Sequence, residues 1–253
     1  MHQGDVLTQL VTMSNNLGDP ALDYVILGEG NTSARADADT FWVKASGTEL
    51  RTIDSTGFVR VRFDQVLALL DEGDLSDDEV KAGLDAAKVD QFVTARPSVE
   101  TVLHALALQL EDVNFVGHTH PTAINALLCS QKAEEAASGR LFPDHIVYCG
   151  PASVYVPYTD PGLPLAREVR DLINRYVDEH REVPKVILMQ NHGLIALGRT
   201  VQQVENTTAM AVKAARVLIG TYALGGPRFL TARNVERIHT RPDELYRRGI
   251  AGK

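Results

Sequence analysis

Residues 97–121 read Pro97-Ser98-Val99-Glu100-Thr101-Val102-Leu103-His104-Ala105-Leu106-Ala107-Leu108-Gln109-Leu110-Glu111-Asp112-Val113-Asn114-Phe115-Val116-Gly117-His118-Thr119-His120-Pro121. Proline is preorganised for a first helical turn, and an acidic side chain there meets the positive end of the helix dipole. The segment therefore predicts a helix from Pro97 through Leu110 with Glu100 at its start. Residues 113–120 read as a buried strand halted by Pro121, and the small residues of 122–130 as the next helix. Helix, strand and helix in succession point to an α/β chain.

The same alternation continues on both sides. Val6, Leu10, Val11 and Leu17 recur at helical spacing over 4–17, and Gly18-Asp19-Pro20 stops them. Brief Val-, Phe-, Trp- and Thr-rich runs at 34–35, 40–44 and 57–61 read as a meander of short strands with tight turns. Residues 63–70 are helical in pattern, and the acidic stretch 71–78 is a solvated loop leading into another helix. Val147, Val154 and Val156 mark short strands around Gly150-Pro151, and 165–180 is an amphipathic helix. The apolar runs 185–190 and 193–197 flank Asn191-His192 in the pattern of a hairpin. Thr200 and Gln203 form a capping box for a long helix over 201–222, closed by Gly225-Gly226-Pro227. The segment after Pro227 is basic and ends in a surface helix around 244–248. With no linker, fixed-spacing repeat or low-complexity tract, residues 1–253 read as a single domain with a C-terminal helical extension from about 228.

Composition narrows the function. The chain has 253 residues, 44% of them hydrophobic, with 33 acidic against 25 basic side chains and a net charge of −8, so a sizeable core is expected and disorder is not. Negative charge without a Lys/Arg block argues against nucleic acid or an anionic membrane as partner. Cys129 and Cys149 lack the spacing of a disulfide framework, a thiolate metal site or a redox pair, which fits a reducing compartment. The first residues have no basic-then-apolar leader pattern and no stretch is long and apolar enough to span a bilayer, so the expected location is cytoplasmic.

The sharpest chemical feature is Gly117-His118-Thr119-His120-Pro121. On a strand, residues i and i+2 share a face about 7 Å apart, close enough for two imidazoles to converge on one ion. The pair also reads as two hydrogen-bonded histidines at a strand end. His192, in a tight turn between two apolar strands, is a third ligand candidate, and three neutral imidazoles around a divalent ion leave a position open, which is the catalytic pattern. Glu100 is the fourth candidate, with dipole stabilisation as its alternative role. His104 follows Glu100 by one helical turn and reads as a packed neighbour of the site or as a ligand. His2, His180 and His239 read as solvated. His145, in a loop after Pro143-Asp144, reads as a proton donor or as an ordinary loop residue. Gly28-Glu29-Gly30-Asn31-Thr32-Ser33 and Lys44-Ala45-Ser46-Gly47-Thr48 are two loops able to clasp an anion through backbone N–H groups and neutral donors, or two plain turns. Neither is a dinucleotide fingerprint or a Walker sequence.

Taken in order, Gly-Asn-Thr-Ser, Lys-Ala-Ser-Gly-Thr, Pro-Ser-Val-Glu, His-Thr-His-Pro and Asn-His-Gly resemble the class II aldolase/adducin family, from about Gly28 to Gly198. The wording is similar to that of the aldolase half of the bifunctional rhamnulose-1-phosphate aldolase/alcohol dehydrogenases. The resemblance implies a three-layer α/β/α fold with a mainly antiparallel central sheet, assembled as a homotetramer. It implies that His118, His120 and His192 bind a divalent metal, usually Zn2+, with Mn2+, Co2+ or Fe2+ as alternatives. Glu100 becomes the catalytic acid/base, and Asn31, Ser46, Gly47 and Ser98 match positions that hold the substrate phosphate in fuculose-phosphate aldolase. Gly28 stands where that enzyme has a threonine, and Val99 replaces the second serine of its Ser-Ser-Glu. The region of His145 is the positional candidate for a second proton donor, and Tyr246 for a residue completing a neighbour's site. The implied activity is reversible cleavage of a ketose or ketose 1-phosphate, a small sugar or sugar phosphate, into a dihydroxyacetone-type fragment and an aldehyde. Sugar-phosphate 4-epimerase, dehydratase or decarboxylase chemistry, and a non-catalytic adducin-like interaction module, are the alternatives on the same scaffold.

Overall fold

A computed structural model describes residues 3–243 and residue 246. The chain runs α1 (Gln3–Leu17), β1 (Asn31–Arg35), β2 (Thr40–Lys44), β3 (Phe58–Arg62), α2 (Phe63–Ala68), α3 (Asp77–Ala86) and α4 (Thr101–Leu108). It continues through β4 (Phe115–Thr119), α5 (Thr122–Leu128), α6 (Ala133–Ala137), α7 (Pro143–Cys149), β5 (Val154–Val156) and α8 (Leu163–His180). The last elements are β6 (Val186–Met189), β7 (Gly193–Gly198), α9 (Val201–Tyr222) and α10 (Ala232–Thr240).

The strands form one seven-stranded sheet in the order β3-β2-β1-β4-β7-β6-β5. Every pairing is antiparallel except the edge pair β5–β6, so the sheet is mainly antiparallel as expected. Side chains alternate across it. Val43, Val61, Val116, Ile187 and Ile195 face one way and pack under α2, α3, α4 and α8. Ala34, Phe58, Phe115, Leu194 and Ala196 face the other way and pack under α1, α5 and α9. Helices cover both faces, giving the three-layer α/β/α arrangement. Leu10, Met13 and Leu17 of α1 are at most 1% exposed, each contributing about 2 kcal/mol of apolar burial.

Three local readings change. The helix expected from Pro97 begins at Thr101, because residues 96–98 pair with the chain at the end of β2: Ser46 N donates to Arg96 O and Ser98 N to Lys44 O. Val147 is in helix, not strand, and His145 is not in a loop; Pro143 starts α7, whose Ile146, Val147 and Cys149 are buried. Asn31, Thr32 and Ser33 belong to β1 rather than to a loop. His239 is also less solvated than its polar neighbours suggest, since its Nε2 lies 3.0 Å from Glu182 Oε2 with the side chain 16% exposed. The terminal helix expected over 244–248 falls outside the described residues apart from Tyr246, which is exposed. His2 also lies outside them. No helix among the described residues is long and apolar enough to cross a membrane.

Candidate metal centre and its carboxylate

The central strands carry the site at one end. Register pairs Asn31 with His118 across β1–β4, and β4 pairs with β7, which His192 precedes directly. Met189 pairs with Gly193, closing a turn of Gln190, Asn191 and His192. Asn191 takes the left-handed conformation there (φ 54°), which asparagine tolerates better than other side-chain-bearing residues.

His118, His120 and His192 converge so that one ligating atom from each lies within 4.8 Å of the others. Two glycines permit the approach. A Cβ on Gly193 would stand 2.6 Å from Thr119 O and 2.7 Å from His120 Cδ2, and one on Gly30 (φ +68°) would stand 2.6 Å from His118 O. His118 Nδ1 lies 3.0 Å from Leu194 O and donates to it, which leaves Nε2 as the free lone pair facing the cluster. Burial lowers the pKa of His118 and His120 to about 4, so both are neutral near pH 7, the ligating form. Their Nε2 atoms are 2.9 Å apart. Two nitrogens of a tetrahedral site, each about 2.0–2.1 Å from zinc, stand about 3.3 Å apart, so the His118–His120 pair is close to the spacing a divalent cation requires.

Glu100 is 8% exposed and lies over this cluster, with His192 Nε2 3.1 Å from Oε1 and His118 Nε2 3.5 Å from Oε2. It occupies the N-cap position of α4 and makes no capping hydrogen bond, so its carboxylate is turned to the site rather than to the helix. Asn31 Nδ2 donates to Oε2 at 2.6 Å. Burial by itself raises the pKa of Glu100, but the charge His118 and His192 carry when protonated and the hydrogen bonds from His192 and the Asn31 amide outweigh it and hold the carboxyl below the usual carboxylate range.

The other sequence candidates separate. Ser98 is buried, and its Oγ accepts from Asn31 Nδ2 (3.2 Å) and from Glu100 N (3.3 Å). Ser46 and Gly47 are exposed beside it, Ser46 Oγ donating to Pro97 O at 3.4 Å. His145 is not brought to the cluster. It lines a separate cavity of about 40 Å³ with Arg140, Cys149 and Ser153, where burial and the Arg140 charge lower its pKa to about 3. Both cysteines are free thiols.

Sequence reasoning quoted Lys44 and Glu29 only as parts of the two candidate anion loops and did not single them out. Lys44 is 3% exposed; burial lowers the pKa of its ammonium while the Glu100 charge raises it. A lysine between Val43 and Ala45 on a buried strand was the available signal. Glu29 Oε1 lies 3.8 Å from His120 Nδ1, on the side of the ring away from the cluster, and nothing in its Gly-rich loop distinguished it. A cavity of about 360 Å³, lined by Asp23, Glu29, His120, Asn125 and Cys129, opens beside that ring.

Residues 8–219 match the family described as class II aldolase and adducin N-terminal domain. YuxG of Bacillus subtilis, named an uncharacterized oxidoreductase, is 28% identical over 221 residues, 83% of this chain. The chain spans only 29% of that protein's length. The N-terminal class II aldolase domain of a conserved protein from Thermoplasma acidophilum superposes with a TM-score of 0.66 at 29% identity, covering 83% of this chain and 92% of that one. An L-fuculose 1-phosphate aldolase superposes with a TM-score of 0.68 at 17% identity, over 93% of this chain and 94% of its own, a likeness of fold.

Proposed function

The chain belongs to the class II aldolase/adducin family, and from that premise we propose that it is a metal-dependent aldolase that reversibly cleaves a ketose or ketose 1-phosphate into a dihydroxyacetone-type fragment and an aldehyde. The observation that carries the reading is Glu100, a buried carboxylate 3.1 Å from His192 Nε2 and 3.5 Å from His118 Nε2.

His118, His120 and His192 would hold the cation, Zn2+ first among the candidates for three imidazoles with an open position. When bound there, a divalent cation supplies Lewis-acid polarisation of a substrate carbonyl. Glu100 accepts the proton of the hydroxyl on the carbon about to leave as aldehyde. The electron pair of the breaking carbon–carbon bond passes to the ketose fragment, and Glu100 returns the proton to the carbon left behind, so the cycle needs no further reactant. Asn31 keeps Glu100 ionised and aimed. Ser98 has both lone pairs occupied by Asn31 and Glu100 N–H groups, so its own O–H is left to donate to substrate. Lys44, a buried cation at the same end of the sheet, supports an anionic group on the substrate, offsetting the hydroxyls that Gly28 and Val99 do not supply. Assembly as a homotetramer is part of the same reading.

A retro-aldol screen of free and phosphorylated ketoses, with Zn2+, Co2+ or Mn2+ and aldehyde detection, tests this. Aldehyde release is expected, with Glu100→Gln lowering kcat on the order of a thousandfold. Near wild-type turnover by Glu100→Gln on a confirmed substrate would remove the assigned role. Conversion to an epimer without aldehyde release would instead establish the 4-epimerase alternative.

A further inference from the structure

The region beneath Glu100 contains a hydrogen-bond chain whose proton positions are fixed by chemistry. His104 is fully buried one helical turn after Glu100, and its backbone N donates to Glu100 O at 3.1 Å. Its Nδ1 lies 2.7 Å from Ser33 Oγ, and its Nε2 contacts Asn31 Oδ1. Asn31 and Ser33 point to the same face of β1, so one strand supplies both partners of the ring. Asn31 Nδ2 lies 2.6 Å from Glu100 Oε2 and 3.2 Å from Ser98 Oγ.

An ionised carboxylate can only accept, so the asparagine edge turned to Glu100 must be the NH2 group. Its carbonyl oxygen then faces His104 and must receive a proton from Nε2. A neutral imidazole carries one N–H, so Nδ1 is the acceptor and Ser33 the donor. Both Asn31 protons are committed, one to Glu100 and one to Ser98. The ring's neutrality agrees with its surroundings: burial lowers its pKa, the Glu100 charge opposes this and the Lys44 charge adds to it, leaving the ring at about 4.

We infer that His104 is a positioning residue: donating from Nε2 to Asn31 Oδ1 while Ser33 donates to Nδ1, it locks the Asn31 amide with both N–H groups turned to Glu100 and Ser98. Without that lock the amide can rotate and present its oxygen to the carboxylate, which repels it and leaves Glu100 without its aiming bond. His104 therefore acts on the reaction through Asn31 and Glu100, and takes no part in holding the cation. The catalytic consequence rests on the aldolase reading; the proton positions do not.

A neutron structure of the purified protein tests the proton positions directly. The expected result is deuterium on His104 Nε2 and none on Nδ1, with the Asn31 deuterons directed at Glu100 and Ser98. Deuterium on Nδ1, or an Asn31 oxygen facing Glu100, overturns the inference whether or not a ketose is ever turned over. On a confirmed substrate, His104→Gln, whose amide reaches the Nε2 position, should keep kcat within about threefold, while His104→Leu should lose on the order of a hundredfold in kcat with KM and metal content unchanged. Ser33→Ala leaves the ring in place and should lose about tenfold in kcat. It serves as the test where His104→Leu does not fold. Wild-type kcat in His104→Leu or in Ser33→Ala contradicts the positioning role.

Discussion

Two residues at the site make opposite demands on their surroundings. Lys44 calls for compensating negative charge, since burial lowers the pKa of its ammonium and the Glu100 charge only opposes that shift. Lys44→Met should therefore raise KM for a phosphorylated ketose about tenfold or more, while KM for the free ketose moves little. An equal effect on both substrates, read from initial rates, would show that Lys44 does not face the anion. Gly193 makes the converse demand, for absence. A methyl there meets Thr119 O at 2.6 Å and His120 Cδ2 at 2.7 Å, both closer than van der Waals contact allows. Gly193→Ala should cost about 1–3 kcal/mol in denaturant unfolding and weaken metal binding by displacing His120. Unchanged stability and metal affinity would mean that the rings have slack the geometry does not show.

Among the elements, those whose partners are close in sequence were legible. The hairpin of β6 and β7, the helix α9 and its Thr200 cap were all readable, and Thr200 Oγ1 does accept from Gln203 N at 3.3 Å. The capping glutamine, however, takes its proton from Arg199 N at 2.7 Å, one residue earlier than the motif implies. The start of α4 was misplaced because Pro97 suits a helix N-terminus and an extended bridge equally well, and the choice was made by Lys44 and Ala45, far away in sequence. The same difficulty hid the site network. Asn31 was read as a loop donor for an anion, but its place on β1 opposite His118 gives it to Glu100 and His104. Pairing register is a long-range choice between buried faces, and a single sequence does not print it. His145 shows the limit of positional matching: α7 turns it into a cavity of its own.

For the whole molecule, buried neutral histidines couple stability to pH. His145 has a folded pKa lowered to about 3, against about 6.5 unfolded, so the unfolded chain binds the extra proton as pH falls. Its stabilising contribution is fully present above pH 6.5 and is lost progressively below it. Between pH 6.5 and 5, before most carboxylates titrate, the wild type should lose roughly 2 kcal/mol more than His145→Asn, whose amide oxygen can accept the Leu141 N–H that His145 Nδ1 accepts. Parallel stability curves in urea at the two pH values would show that His145 is protonated without penalty. The three-layer fold with a mainly antiparallel sheet was implied by the order of five short motifs, and the sheet order explains why those motifs travel together. β1, β4 and β7 are adjacent, so the strands or turns that carry Asn31, His118 and His192 meet at one end.

The central claim is that this meeting point is a metal centre. It is tested most directly by elemental analysis of the chain purified without chelator, beside His192→Ala with its fold checked by circular dichroism. About one zinc or similar divalent ion per chain in the wild type, lost in the folded variant, is the predicted result. A wild type that carries no such ion and takes up no added Zn2+, Co2+ or Mn2+ would contradict it.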